Sequence, residues 1–246
     1  MSMVQRLTID ASQRQGETIT LRHEQTHYLC RVLRLHPGDR FIAQDGQGQQ
    51  WLAAIGPSLS QADIIETMAT TLTPSTTPIR LLAALPKGNS FDQVVRQTTE
   101  LGITHICPII SDRTLLKPSD NKRSRWRRIA QEASEQSERV IVPEISPPVD
   151  FQTALTLFDK QSLKYICAAR QSAPHLLQKI QIDLISEDLR GINFMIGPEG
   201  GWTSAEITDA TSAGYKVVSL GTVILRAVTA PVTALSLITA ARELLI

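Results

Sequence analysis

Two strand-loop-helix patterns lie close together near the C-terminus, and they limit the architectures open to this chain. In INFMIGPEGGWTSAEI, residues 192–207, the apolar run Ile192 to Ile196 reads as a buried strand. Gly197 to Gly201 reads as a tight turn and Thr203 to Ala213 as a helix. Thr203 or Ser204 can cap that helix, and Glu206 falls in its positive first turn, so backbone N–H groups face whatever the loop encloses. In SLGTVILRAVTAPVTA, residues 219–234, the pattern recurs: Tyr215 to Leu220 is a strand, Gly221 a turn, and Pro231 opens a final helix, Ala230 to Leu245. Two loops then lie at the carboxyl ends of two strands expected to be neighbours. In open α/β sheets ligands bind at that edge, which predicts a small-molecule cleft built largely of backbone. A glycine-rich turn also occurs without a ligand, so GPEGG alone leaves both readings open.

The rest of the chain falls into two parts. Val4 to Ile9, Glu17 to Leu21, Arg40 to Ala43, Gln50 to Ile55 and Asp63 to Met68 read as strands, with an Asp45-Gly46 hairpin signal after the third. Glu24 to Leu35 reads as a helix with Tyr28, Val32 and Leu35 on one face and Arg31 and Arg34 beside it. This spacing fits a small barrel of five or six strands with one helix, ending near residue 73. TPSTTP, residues 73–78, has almost nothing to bury and reads as a linker. Beyond it strands and helices alternate. Ile79 to Leu85, Ile106 to Ile110 and Tyr165 to Ala168 are apolar strands, as in a parallel sheet covered on both faces. Phe91 to Leu101, Lys122 to Arg139, Phe151 to Phe158 and Ala173 to Ile180 read as helices.

Composition narrows the function classes. With 246 residues, 42% hydrophobic and 20% charged, the chain can fill two modest cores, which argues against disorder. No apolar run is long enough to span a bilayer, and MSMVQRLTID lacks an apolar signal region, so a cytoplasmic protein is expected. Cys30, Cys107 and Cys167 are far apart and read as reduced and buried. His23 and His27 have no third ligand nearby, and no metal site is expected. A net charge of +1 gives no global nucleic-acid footprint, so any RNA affinity must come from local patches. The best such patch is KRSRWRR, where Arg123, Arg125, Arg127 and Arg128 either contact RNA or form a solvated face.

The GPEGG and LGTVILRAVTAP stretches together resemble the 16S ribosomal RNA uracil-N3 methyltransferase family, a branch of the SPOUT class of S-adenosylmethionine-dependent RNA methyltransferases. The resemblance runs over nearly the whole chain: Tyr28-Leu29, residues 32–35 (VLRL), Gly38-Asp39 and residues 45–48 (DGQG), then Lys87, Glu100-Leu101-Gly102, Pro108, Arg113, Arg125-Trp126, Ala130, Glu132-Ala133, Gln136-Ser137, Arg139 and Pro143. It implies a PUA-like RNA-binding β-barrel at residues 1–72, a linker at 73–78, and an α/β methyltransferase domain at 79–246 whose C-terminal segment is threaded into a trefoil knot. It also implies a homodimer acting on 16S ribosomal RNA in an assembled small subunit. Alternatives within reach of the same motifs are another SPOUT activity, on transfer-RNA guanine or on ribose, or a noncatalytic RNA-binding protein that keeps the cofactor pocket.

On this resemblance the cofactor is expected to lie on Ile196, Gly197, Glu199, Gly200, Gly201, Ser219, Leu220, Gly221, Ile224, Leu225 and Arg226. The glycines would allow close backbone approach, and Leu220, Ile224 and Leu225 would flank an adenine ring, although as aliphatic residues they also read as ordinary core. The acceptor nitrogen of uracil carries a proton. A base can remove it, or a cation can stabilise the developing anion. Arg226 is the candidate cation and Glu199 the nearest carboxylate, each with a plainer reading as an ion pair or a helix-end charge. Arg31, Arg34, Lys87, Arg113 and the four arginines of KRSRWRR are the candidate RNA contacts. The chain departs from the common family pattern at Val223, where an arginine often precedes the ILR triplet, and at Val228, where a glutamate often precedes Thr-Ala. Valine can neither bind a phosphate nor accept a proton, so no essential charge belongs at either place here.

Overall fold

The computed structural model describes residues 4–69, 77–114, 119–158, 161–169, 171–185 and 189–244. The chain divides into two compact units: Met1–Pro74 with Gln131–Val142, and Ser75–Ala130 with Pro143–Ile246. Of the expected linker, residues 73–76 lie outside the described residues, and 77 and 78 have no regular structure.

The first unit is a six-stranded sheet. Its elements are β1 (Arg6–Thr8), β2 (Arg14–Gln15), β3 (Thr18–Thr20), the short helix α1 (His23–Thr26), β4 (Arg40–Gln44), β5 (Gln50–Ile55) and β6 (Gln61–Met68). The strand order is β1-β4-β5-β6-β3-β2, with β1 parallel to β4 and the other pairs antiparallel. Ile19, Leu29, Phe41, Ala53 and Ala62 are fully buried between the curled faces. The Asp45-Gly46 signal marks the β4–β5 connection: Asp45 Oδ1 accepts the backbone N–H groups of Gln47 and Gln49 at 2.8 and 2.9 Å, and Gly46 has a φ of 70°.

The helix expected from Glu24 to Leu35 is not regular. After α1 the chain winds into a π-helical turn, His27–Val32. The wider turn rotates the buried face, so Leu29 is in the core while Val32 is 58% exposed and Tyr28 and Leu35 are only half-buried. The Leu35 N–H closes the turn on the Leu29 carbonyl at 3.0 Å, which leaves Arg34 in the left-handed region at φ 59°, a cap position usually filled by glycine. On the open edge of β1, the Thr8 N–H donates to Glu135 at 2.7 Å and the Thr8 carbonyl accepts from Gln131 at 3.3 Å. Two helical side chains thus stand in for the missing neighbouring strand.

The second unit is an all-parallel sheet with helices. It comprises β7 (Ile79–Ala84), α2 (Phe91–Glu100), β8 (His105–Ile110), α3 (Asp120–Gln136), β9 (Glu144–Ile145), β10 (Val149–Asp150), α4 (Phe151–Thr156), β11 (Leu163–Cys167), α5 (Leu176–Asp183), β12 (Ile192–Ile196), α6 (Ser204–Ser212), β13 (Lys216–Val218) and α7 (Thr229–Glu243). The last turns of α3, from Gln131, belong to the first unit. The order is β10-β8-β7-β12-β11-β13, with β9 beside β8. Two expectations are corrected here. The strands that lead into the two C-terminal loops, β12 and β13, are not neighbours, because β11 lies between them and pairs with both. And α5 begins at Leu176 rather than Ala173, because residues 174–176 are extended alongside Ser219. The Ser219 N–H donates to the Pro174 carbonyl and the Leu176 N–H to the Ser219 carbonyl, each at 2.9 Å. Pro231 sits in the first turn of α7, where its missing N–H has no helical partner to lose.

Candidate active site

The carboxyl ends of β7, β8, β11, β12 and β13 converge on one cavity of about 790 Å³, within the usual range for a small-molecule site. Each expected cofactor residue lines it: Ile196, Gly197, Glu199, Gly200 and Gly201 from the connection after β12, and Ser219, Leu220, Gly221, Ile224, Leu225 and Arg226 from the connection after β13. Leu220, Ile224 and Leu225 are not core residues. Ile224 is 61% exposed, and the other two are half-buried at the cavity wall. Val223, 69% exposed, and Val228 also line it, so both positions that lack the family's charge face the cavity.

The loop after β12 owes its shape to a residue that sequence reasoning passed over. Trp202 is buried, packs against Phe151, and donates its indole N–H to the Cys167 carbonyl at 3.1 Å. A Cβ at Gly197 would come within 3.1 Å of that indole. A Cβ at Gly200 would come within 3.1 Å of the Arg113 side chain. At these two positions the collision that glycine avoids is therefore with the protein itself, whereas Gly201 is required by its own φ of 69°. Thr203 is the cap, rather than Ser204, and it forms a capping box with Glu206. Glu206 does more, since its Oε1 accepts the Asp112 N–H at 3.0 Å while Oε2 accepts the Thr203 N–H at 2.7 Å. One buried carboxylate thereby joins the connection after β8 to the start of α6.

Two further bonds tie the connections together. The Arg113 guanidinium donates to the Gly200 carbonyl at 2.6 Å, and the Lys87 backbone N–H donates to Glu199 Oε1 at 3.0 Å. Glu199 is thus in part a loop clamp. The Arg226 side chain is exposed on the cavity wall and makes no hydrogen bond or ion pair among the described residues. Cys167 also lines the cavity, but burial pushes its thiol up to about 12, which disfavours the thiolate at neutral pH. The wall includes Pro86, Ser90 and Gln93 after β7 and residues 168, 169 and 171 after β11. None of these was singled out from sequence; the rule that ligands sit at carboxyl ends of strands points to them only once the strand order is known.

The expected RNA contacts lie on several elements, some in each unit. Lys87 and Arg113 are exposed near the cavity loops. In α3, Trp126 is buried and splits the basic run; its indole N–H and the Arg125 guanidinium share Asp92, at 3.1 and 2.7 Å. Arg123 lies 3.7 Å from Asp120 on the same helix. Arg127 and Arg128 are exposed, as are Arg31 and Arg34 in the first unit.

Comparison with known proteins decides the family. Residues 73–239 match the model of an RNA methyltransferase domain, and residues 21–65 that of an RNA methyltransferase PUA domain. A Synechocystis protein named ribosomal RNA small subunit methyltransferase E is 41% identical over 98% of this chain and 79% of its own length. The chain belongs to this methyltransferase family. A Bacillus subtilis protein of the same name is 33% identical over 98% of each chain. The crystal structure of a ribosomal RNA small subunit methyltransferase E from Neisseria gonorrhoeae bound to S-adenosyl methionine shares 30% identity and a TM-score of 0.84, covering 98% of both chains. A putative methyltransferase from Legionella pneumophila with bound cofactor follows at 27% identity and a TM-score of 0.83, covering 97% of this chain and 98% of its own. The chain is therefore an RNA methyltransferase, with a PUA-type domain and a parallel-sheet methyltransferase domain.

Proposed function

We propose that this methyltransferase transfers a methyl group from S-adenosylmethionine to N3 of a uridine in 16S ribosomal RNA of the small subunit. The observation that carries the reading is the cavity in which both C-terminal motifs meet, in a chain whose relatives are named ribosomal RNA small subunit methyltransferase E. Bound S-adenosylmethionine supplies an electrophilic methyl on a sulfonium, so the protein's task is placement. The N3 lone pair forms the new bond to the methyl carbon, the carbon–sulfur bond breaks to leave a neutral thioether, and the N3 proton leaves to solvent or to the free oxygen of Glu199. Residues 196–201 and 219–226 hold the cofactor through backbone groups, with Leu220, Ile224 and Leu225 against its adenine. Arg226, exposed on the cavity wall, faces the charge that builds on the uracil carbonyls. A paired uracil hides N3, so the base is turned out of its helix before transfer.

Residues 1–72 as a PUA-like domain, together with Arg31, Arg34, Lys87, Arg113 and the exposed arginines of α3, supply RNA affinity, and residues 79–246 the chemistry, with the C-terminal segment forming the family's knot. The enzyme acts in the cytoplasm, on an assembled subunit and without a metal. It acts as a homodimer: Ile182 at 58%, Ile185 at 74% and Leu244 at 79% exposure leave apolar side chains on and just beyond the packed helices α5 and α7. Sedimentation that finds only monomer at micromolar concentration removes the dimer. The activity is tested by nucleoside mass spectrometry of small-subunit RNA with and without the gene, followed by methylation of the unmodified subunits by purified enzyme. Absence of 3-methyluridine from the product, or a methylated guanine or ribose in its place, overturns the assignment.

A further inference from the structure

Resting on the reading of uridine N3 as the methyl acceptor, we propose that Arg113 reads the C4 carbonyl beside N3 and so selects uracil over cytosine, which carries an amine there. The acceptor nitrogen must point at the methyl donor, so it is not free for recognition. What remains on that edge of uracil is a pair of carbonyl oxygens, both acceptors. Cytosine carries an amine in place of one of them. A group that only donates hydrogen bonds satisfies uracil there and leaves the cytosine amine facing another donor, the arrangement that rejects an analogue most strongly. A carboxamide such as Gln93, also on the cavity wall, can rotate to offer either its oxygen or its nitrogen and so discriminates little.

Among the described cavity-lining side chains, the donor-only groups are Arg113, Arg226 and the Trp202 indole. The indole N–H is spent on the Cys167 carbonyl. Arg113 alone of the two arginines is held in a fixed direction, by its bond to the Gly200 carbonyl at 2.6 Å. The absence of a side chain at Gly200 makes room for its stem, since a Cβ there would lie 3.1 Å from Arg113 Cδ. The residue before it, Asp112, is anchored through its backbone to the buried Glu206. One guanidinium nitrogen is thus tethered and the remaining N–H groups are left for a ligand, a preorganised donor rather than a flexible surface charge. No carboxylate pairs with Arg113 among the described residues.

The test uses full-length enzyme and unmodified small subunits reconstituted with either uridine or cytidine at the target position. Methylation is followed by mass spectrometry of 3-methyluridine and 3-methylcytidine. Wild type is expected to favour uridine by at least about a hundredfold. Arg113→Met is expected to lose most of that ratio and Arg113→Lys, still donor-only, to recover part of it; because both disturb the bond to Gly200 and so can weaken cofactor binding, all rates are compared at saturating cofactor and folding is checked by melting temperature. The Arg113→Met rate on uridine should also climb with pH more steeply than wild type, because solvent then supplies the N3 anion that the guanidinium had favoured. If Arg113 instead anchors a phosphate, Arg113→Met raises the substrate constant and lowers the salt slope by about one while the uridine-to-cytidine ratio stays at the wild-type value, and the proposal is wrong. If wild type yields no 3-methyluridine at all, the acceptor assignment fails first and the role of Arg113 falls with it.

Discussion

Replacing Gly197 by alanine separates what the GPEGG loop does for the ligand from what it does for the fold. The new Cβ would lie 3.1 Å from Cε2 of Trp202 and 3.3 Å from Cδ2 and Nε1, closer than the roughly 3.5–4.0 Å at which carbons rest. Gly197 is not in the left-handed region, so alanine meets no backbone penalty and the whole effect comes from the indole. Trp202 can yield only by giving up contacts: it is 8% exposed, its ring centroid is 5.4 Å from that of Phe151, and its N–H is bonded to the Cys167 carbonyl at 3.1 Å. Overpacking of this kind costs about 1–3 kcal/mol, and the indole hydrogen bond contributes about 1 kcal/mol where it is lost. A loss of about 2 kcal/mol lowers the melting temperature of a chain this size by roughly 4–8 °C. Scanning calorimetry measures that shift, and titration calorimetry with S-adenosylmethionine measures the accompanying loss of affinity as the displaced ring pushes the loop. The double variant Gly197→Ala with Trp202→Leu should be more stable than the sum of its parts, because the clash has been removed. A Gly197→Ala protein that melts with wild type yet binds cofactor weakly would refute this account and show that the glycine makes room for the ligand.

Glu206→Ala strands the Asp112 and Thr203 N–H groups, each costing about 1–3 kcal/mol if left unpaired, so thermal unfolding should come several degrees earlier, with weaker cofactor binding because residues 111–114 lose their anchor; an unchanged melting temperature counts against the clamp. Arg226→Ala and Arg226→Lys are both expected to slow turnover by at least about a hundredfold with cofactor affinity changed far less, whereas a raised substrate constant with a wild-type single-turnover rate would make Arg226 a phosphate anchor. Burial alone would raise the Asp183 carboxyl, but hydrogen bonds from Lys216, Tyr165 and Lys179 outweigh it and hold its pKa below the ordinary value. Its contribution is therefore complete above about pH 4 and lost as pH falls through the depressed value, so melting temperature should drop on acidification in wild type and drop less in Asp183→Asn.

What could be read from the sequence was local. The β12–turn–α6 pattern was legible because an apolar run, a glycine turn and a Thr-x-x-Glu box lie within a few residues, and their hydrogen bonds are made within that span. Strand adjacency was not legible, since the sheet order depends on which apolar faces pack, and β11 intervenes between β12 and β13 without any mark in the loops themselves. For the same reason the walls supplied by Pro86, Ser90 and Gln93 and by residues 168, 169 and 171 escaped notice. The π-helical turn escaped because a 3.6-residue period was assumed across Glu24 to Leu35, and one wide turn is enough to carry Val32 to the surface. The glycines were rightly singled out, but at Gly197 and Gly200 for a reason visible only in packing: their neighbours are Trp202 and Arg113.

The two valines give the cavity its chemical character. Val223 and Val228 both line it, so neither position offers a charge to substrate or cofactor in this chain. Among the described lining residues the ionisable carboxylate and guanidinium groups are then Glu199, Arg113 and Arg226. Glu199 spends one oxygen on the Lys87 N–H, which keeps the connection after β7 closed against the loop after β12. On the proposed reading, a carboxylate held in that way has only its second oxygen for the N3 proton, which would put more of the catalytic burden on charge stabilisation. Two guanidiniums and two carbonyl oxygens flanking one nitrogen match in number and in polarity. On the proposed reading, the pairing that would hold the uracil in place would strengthen as N3 loses its proton, which is where stabilisation lowers the barrier rather than merely tightening binding.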